Sequence, residues 1–186
     1  MSITPGSLHA SAPPCDKSFI RDPQAHFDLR AGSGTIKRPD GFLSNTRFRT
    51  ARYRAEGPGA QVTGLANRRV LIVEDEWLVR MELATAFEDE HCLIVEAASA
   101  EDARDVLRAS HGGGVRIDLL VTDIRLTGML TGWDLAAEAR DIDDAIGVIY
   151  VSANPPAPGR DVSDSVFIDK PALVENVVAA ARRLLG

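Results

Sequence analysis

The feature that most constrains the fold is a regular alternation of short apolar runs with amphipathic stretches between residues 70 and 185. The apolar runs are rich in Val, Ile and Leu and are too short for ordinary helices, which is typical of parallel strands buried on both faces. They predict five strands, at Val70–Val73, Leu93–Glu96, Ile117–Thr122, Ile146–Val151 and Val166–Ile168.

Helical patterns fill the first three intervals between these strands and the C-terminal end of the chain. We predict helices over about residues 77–90, 99–112, 132–140 and 173–185, the second opened by the capping-box pattern Ser99-Ala100-Glu101-Asp102 and stopped by the glycines at 112–114. Their spacing predicts the core-facing side chains Val79, Leu83, Ala86, Phe87, Ala103, Val106, Leu107, Leu173, Val177, Ala181 and Leu184. We also expect Trp77 and Trp133, at helix starts, to be packing residues.

Strands that alternate with helices imply right-handed crossovers and a parallel sheet covered on both faces. The predicted fold class is therefore α/β, a doubly wound five-stranded parallel sheet of flavodoxin-like order 2-1-3-4-5. The crossover between the fourth and fifth strands carries Pro155, Pro156 and Pro158, which oppose a helix interior. We expect that crossover to be irregular.

Residues 1–66 differ from the rest of the chain, since they show no sustained period and carry Pro and Gly throughout. Such a segment buries too little apolar surface to offset its ordering entropy, so we predict a disordered extension over 1–66 and a folded domain over 67–186. A start codon assigned too far upstream would give the same pattern. The sequence leaves both explanations open.

Charge, apolar run length and cysteine usage argue against nucleic-acid binding by the folded part and against membrane insertion, and they suit a reducing compartment. The extension carries nine Lys/Arg and five Asp/Glu, whereas residues 67–186 carry 12 Lys/Arg and 22 Asp/Glu, and this acidic balance argues against nucleic-acid binding by the folded part. The apolar runs are too short to cross a bilayer, so we expect no membrane insertion. Cys15 and Cys92 are the only cysteines, which suits a reducing cytoplasm.

Polar side chains follow the predicted strands where their carboxyl ends meet. Glu74 and Asp75 follow the first strand, Asp123 the third, Ser152 ends the fourth and Lys170 follows the fifth. Each alone has an ordinary explanation as a polar loop, a turn cap or a surface lysine. Together, three carboxylates at one sheet edge would repel one another unless a cation intervened, and Mg²⁺ suits oxygen ligands and phosphate. Lysine and serine would then contact a phosphoryl oxygen.

At these motifs the sequence resembles the receiver domains of two-component response regulators, over residues 67–186. The matching pieces, in order, are VLIVEDE (70–76), LLVTDIRL (119–126), TGW (131–133), YVSA (150–153) and FIDKP (167–171). The resemblance implies a phospho-accepting signalling protein rather than an enzyme, with at most slow self-dephosphorylation. It also implies Mg²⁺ as cofactor.

Carried over residue by residue, the resemblance implies that Asp123 is the phospho-accepting nucleophile. It implies that Asp75 is a direct metal ligand, that Glu74 holds metal-bound water, and that the backbone carbonyl of Arg125 completes the protein ligands. Lys170 becomes the phosphate-binding lysine.

The same resemblance implies a switch. Ser152 is the switch hydroxyl and Phe167 stands at the aromatic switch position, without the hydroxyl that tyrosine would bring. The Lys170-Pro171 bond is expected to be cis. The proline-rich fourth crossover stands where the family has a full fourth helix, and this departure affects the face usually used for output.

The resulting hypothesis is a stand-alone receiver that takes its phosphoryl group from a sensor histidine kinase or a histidine phosphotransfer protein and signals to a downstream protein partner. Two other classes stay open. A haloacid-dehalogenase-type phosphatase also uses a strand-end Asp with Mg²⁺, but it needs a second Asp where this chain has Arg125. The third class is a binding module whose basic extension contacts nucleic acid or membrane.

Overall fold

The structure, a computed structural model, describes the backbone of residues 47–50 and residues 64–113, 116–154 and 156–186. Its elements in chain order are β1 (Arg47–Thr50), β2 (Arg69–Val73), α1 (Trp77–Asp89), β3 (Leu93–Ala97), α2 (Ala100–Gly113), β4 (Leu119–Thr122), α3 (Gly132–Ile142), β5 (Gly147–Ser152), β6 (Ser165–Asp169) and α4 (Val174–Leu185). All five predicted strands and all four predicted helices are present, with ends that differ by a few residues.

The strands form one sheet of order β1-β3-β2-β4-β5-β6. The five strands from β2 to β6 are all parallel and have the predicted order 2-1-3-4-5. Strands β2 and β4 lie side by side at its centre, with Val73 opposite Thr122. The carboxyl ends of these two strands therefore meet at one edge, as the sequence predicted.

A sixth strand, β1, lies within residues 1–66, for which the sequence predicts a disordered extension. Arg47–Thr50 pairs antiparallel with β3, with Arg47 opposite Glu96 and Thr50 opposite Leu93. Leu65, also within the expected extension, is fully buried in the core. Four residues are too short for the periodicity by which strands were predicted, and the pairing is made by backbone groups that composition does not reveal. The rest of that prediction lies outside the described residues.

Two hydrophobic layers hold the helices to the sheet. Alternate residues of each strand point to opposite faces, so Leu71 and Val73 pack toward α2 and α3, whereas Val70 and Ile72 pack toward α1 and α4. Of the predicted core-facing residues, the buried ones are Leu83, Phe87, Ala103, Val106, Leu107, Val177 and Ala181, and the partly buried ones are Val79, Ala86 and Leu184.

Two packing predictions were wrong and one was confirmed. Trp77, the first residue of α1, and Leu173, the residue before α4, are 59% and 66% exposed. Trp133 is buried, and its ring centroid lies 4.3 Å from that of Tyr150.

The link between β5 and β6 is irregular, with turns and bends but no helix among its described residues, as predicted. Side chains attach this link to the domain: Arg160 Nη2 donates to Asp134 Oδ1 at 3.1 Å, and the Val162 amide donates to Tyr150 Oη at 3.4 Å. Pro155 lies outside the described residues. No helix in the described part of the chain is long and apolar enough to span a membrane.

Candidate functional site

The carboxyl edge of the sheet brings together the residues that the sequence placed there. Backbone hydrogen bonds connect the strand ends, because the Asp123 amide donates to the Val73 carbonyl at 2.9 Å and the Lys170 amide donates to the Ser152 carbonyl at 3.1 Å. Regular parallel pairing thus continues one residue past the strands, to the side chains that carry charge.

Lys170 forms the centre of the site. Its Nζ lies 2.6 Å from Asp123 Oδ2 and 2.7 Å from Glu74 Oε2. The Lys170 side chain is 18% exposed, and the two carboxylates are 11% and 1% exposed respectively. The Lys170-Pro171 peptide bond is cis, as expected. A single ammonium group therefore lies between two nearly buried carboxylates that follow two different strands, and its one positive charge offsets only one of their two negative charges.

Hydrogen bonds from neighbouring residues hold Asp123 in place. Its Oδ1 accepts from the Arg125 amide at 3.0 Å, and its carbonyl accepts from Thr122 Oγ1 at 2.7 Å. Gly132 closes the loop behind it: a Cβ added at Gly132 would lie 2.1 Å from the Asp123 carbonyl oxygen. The TGW motif thus needs glycine because α3 begins in contact with the backbone of Asp123.

The electrostatics of the site follow from burial and from the three charges. Burial raises the pKa of Glu74, and the hydrogen bond and charge of Lys170 oppose that rise only in part. Burial alone would lower the pKa of Lys170, but the hydrogen bonds and charges of Asp123 and Glu74 outweigh it and raise that pKa. The charged form of Lys170 is therefore stabilised, whereas burial disfavours the ionised form of Glu74.

The other predicted site residues lie around this centre. Asp75 is half-buried next to Glu74, and Arg125 is exposed two residues past Asp123. Ser152 is fully buried, and its Oγ accepts from the backbone amide and from Nδ2 of Asn154, both at 3.4 Å. Phe167 is half-buried and packs against the core layer that contains Tyr150.

The oxygen groups at this edge fit a hard divalent cation. Within the described residues, no three His, Cys, Asp or Glu side chains stand close enough together to hold a metal ion as they are. Glu74 and Asp123 instead share the Lys170 ammonium, so a positive charge already lies between the two carboxylates. Asp75 follows Glu74 in the chain and Arg125 comes two residues after Asp123, so carboxylate and backbone carbonyl oxygens, which Mg²⁺ prefers, are the donors available at this edge.

Two residues that organise the site were missed by the sequence analysis. Arg80 of α1 donates from Nη1 to the Glu74 carbonyl, and its Nε lies 3.5 Å from Glu96 Oε2. Glu101 was assigned only to a helix cap, yet its Oε1 accepts from the amides of Met129 and Leu130 at 2.8 and 3.1 Å. Both are charged residues on amphipathic helices, and no local pattern separates them from solvent-facing charges.

The model of the response regulator receiver domain family matches residues 70–181, well over half of the chain. The chain belongs to this family. A receiver protein from Sinorhizobium medicae WSM419 is 28% identical, with a TM-score of 0.58 over 64% of this chain and 94% of that one. The receiver domain of the hybrid histidine kinase CckA is 26% identical, with a TM-score of 0.54 over 63% and 99%.

A CheX–CheY complex with BeF₃ and Mg²⁺ from Borrelia burgdorferi is 23% identical, with a TM-score of 0.55 over 65% of this receiver chain and 91% of that one, and so supports the fold. A search of curated protein sequences finds no match. The family match begins at residue 70, so β1 precedes the part of the receiver domain that the family model covers.

Proposed function

We propose that this receiver domain accepts a phosphoryl group on Asp123 from a sensor histidine kinase or a histidine phosphotransfer protein, and signals through changed contacts with a downstream protein. One observation carries the proposal: Lys170 Nζ lies 2.6 Å from Asp123 Oδ2 at the carboxyl edge of the sheet. A carboxylate next to a fixed ammonium is suited to phosphoryl transfer, which depends on positioning and charge neutralisation.

Magnesium is the proposed cofactor. Asp75, Asp123 and the Arg125 carbonyl would hold it, with Glu74 binding through water. When bound, Mg²⁺ supplies charge neutralisation for the phosphoryl oxygens. The presence of Mg²⁺ with BeF₃ in the Borrelia burgdorferi CheY complex supports this choice.

The chain's own residues account for the transfer. An Asp123 carboxylate oxygen forms a bond to phosphorus while the bond from phosphorus to the donor histidine nitrogen breaks, and the leaving imidazole keeps the bonding electron pair. Lys170 moves its hydrogen bond from Asp123 to a phosphoryl oxygen. Ser152 gives up its contacts with Asn154 and donates to another phosphoryl oxygen. Phe167 then repacks, and the β5–β6 region presents a changed surface.

Exposed apolar side chains beside the site suggest where a protein donor binds. On α1, Trp77 and Leu78 are 59% and 60% exposed, and Met81 is 40% exposed. A cleft of about 190 Å³ opens next to them, between α1 and α4, with Lys170 and Pro171 in its wall. Large exposed apolar side chains are typical of protein-binding surfaces, and a phosphohistidine docked here would be close to Asp123.

Incubation of the protein with Mg²⁺ and acetyl phosphate or phosphoramidate, followed by intact mass spectrometry, tests the acceptor. We expect one added phosphoryl group, which is lost in Asp123→Asn and with a chelator and is kept in Asp169→Asn, a matched change at an exposed neighbour of Lys170. Modification that persists in Asp123→Asn would count against the proposal.

The docking surface is tested separately, by phosphotransfer profiling against purified histidine kinases. Leu78→Glu should reduce transfer from a phosphorylated kinase at least about tenfold, since charge is depleted at interface cores, and should leave labelling by acetyl phosphate unchanged. Equal loss with both donors would show that the substitution damages the site, and no loss with either would place the donor elsewhere.

A further inference from the structure

Arg80 contacts the main chain of the turn Glu74-Asp75-Glu76, here called the acidic turn, which joins β2 to α1. Its Nη1 donates to the Glu74 carbonyl and lies 3.4 Å from the Asp75 carbonyl. Its side chain is 12% exposed, although it is a long charged residue near the start of α1, where Trp77 and Leu78 are exposed. One guanidinium thus contacts the carbonyls of two consecutive residues whose carboxylates form part of the site.

Glu96 holds the other side of the same guanidinium. The Glu96 Oε2 atom lies 3.5 Å from Arg80 Nε, and the Glu96 side chain is 8% exposed. Glu96 is in β3, directly opposite Ile72 of β2 in the parallel register. Arg80 therefore connects three elements: α1, which carries it, the acidic turn after β2, and β3.

The arrangement is more specific than an ion pair between a helix and a sheet. An ion pair with Glu96 requires only a positive charge, whereas Arg80 contacts the two carbonyls through Nη1 and Glu96 through Nε, two nitrogens of one rigid planar fork that lysine lacks. Those carbonyls follow the last residue of β2, where the chain leaves the sheet. The turn also fixes itself weakly, since the Glu76 amide donates to Glu74 Oε1 at 3.4 Å.

We propose that Arg80, oriented by Glu96, is a positioning residue that fixes the main chain of Glu74 and Asp75 so that their carboxylates face Asp123 in the geometry required for metal binding. The metal-binding part of this proposal rests on the proposed function. The fixing of the turn does not, and it can be measured without metal. Partners that orient metal ligands typically change affinity tenfold to a hundredfold when removed.

Three variants of the full chain separate the fork from the charge. Arg80→Gln removes both, Arg80→Lys keeps the charge opposite Glu96 but removes the fork, and Glu96→Gln removes the orienting carboxylate. Arg182→Gln is the matched control, because Arg182 Nη2 donates to Glu90 Oε1 at 2.7 Å on an exposed surface outside the acidic turn. Urea unfolding of each variant identifies any that is not folded.

The first measurement is amide hydrogen exchange over residues 74–79 in metal-free protein. We expect exchange there to rise at least about tenfold in Arg80→Gln and by a smaller factor in Arg80→Lys and Glu96→Gln, with β4 and β5 protected as in the wild type. Unchanged exchange over residues 74–79 in folded Arg80→Gln would overturn the proposal, as would full recovery in Arg80→Lys, which would reduce Arg80 to a charge partner.

The second measurement is the Mg²⁺ dissociation constant by calorimetry. We expect Mg²⁺ binding about tenfold weaker or more in Arg80→Gln and unchanged in Arg182→Gln. Equal Mg²⁺ affinity in wild type and Arg80→Gln would overturn the metal-binding part. Wild-type protein that binds no Mg²⁺ would overturn the proposed function together with that part, whereas faster exchange over residues 74–79 in Arg80→Gln would still establish that Arg80 fixes the turn.

Discussion

Replacing Lys170 with methionine should destabilise the metal-free protein far more than removing an exposed ion pair of the same length. The substitution leaves Glu74 and Asp123, which are 1% and 11% exposed, without their shared cation. Removal of one partner of a buried pair costs about 3–5 kcal/mol. Because Lys170 keeps some contact with solvent, we expect about 3 kcal/mol, which corresponds to a fall in Tm of roughly 10 °C for a domain of this size.

Urea unfolding followed by circular dichroism at pH 7, in the presence of a chelator, measures this loss. Arg182→Met is the control, because the distance from Arg182 Nη2 to Glu90 Oε1 is also 2.7 Å but the arginine side chain is 51% exposed. Exposed pairs contribute little, so the control should lose less than about 1 kcal/mol. The difference between the two variants isolates the effect of burial.

The pH dependence of the Lys170→Met deficit gives a second check on its cause. Burial raises the pKa of Glu74 and Lys170 restrains that rise, so the variant should hold this proton more tightly when folded than when unfolded. Its stability relative to the wild type should therefore recover as pH falls from 7 through the raised folded pKa, and should level off below the ordinary pKa of glutamate. Adding Glu74→Gln should also restore part of the loss at pH 7.

The reasoning is refuted if Lys170→Met costs no more than Arg182→Met. It is refuted equally if the deficit is independent of pH and of Glu74→Gln, since the loss would then come from packing of the lysine stem and not from uncompensated carboxylates.

Two further changes test the packing around the site. Gly132→Ala should lower the free energy of unfolding in urea by about 3 kcal/mol and reduce labelling by acetyl phosphate, because the added Cβ would lie 2.1 Å from the Asp123 carbonyl oxygen. A free energy of unfolding within about 0.5 kcal/mol of the wild type would contradict this close contact. Burial raises the pKa of Cys92 to about 12. In a Cys15→Ser background, its thiol should therefore react with a disulfide reagent at pH 8 at least about a hundredfold more slowly in native protein than in urea. Equal rates would contradict its burial.

Much of the fold could be predicted from the sequence because local and global signals agree. The strands β2, β4 and β5 are nearly continuous apolar runs, and their burial on both faces is the physical reason for that composition. The proline-rich link after β5 likewise followed from the backbone restrictions of proline. Strand order then placed Glu74, Asp123 and Lys170 at one edge, and the side-chain distances agree with that placement.

What the sequence did not reveal depends on contacts between distant segments. The strand β1 exists through backbone pairing with β3, and its sequence RFRT lacks the length to signal it. Leu173 matched a core pattern and Trp77 was expected to pack, yet both side chains are largely exposed in the fold. Arg80 and Glu101 are ordinary helix charges in sequence, and only the fold brings them to the main chain of loops that carry the site.

The central claim, that Asp123 is the phosphoryl acceptor, is tested most directly by chemical mapping of the modified residue. Borohydride reduces an acyl phosphate to the alcohol, so protein treated with Mg²⁺ and phosphoramidate, then reduced and digested, should contain homoserine in place of aspartate at position 123. Omission of Mg²⁺ should abolish this product. Homoserine at any other aspartate, or an unreduced Asp123 in protein that carries a phosphoryl group, would contradict the account.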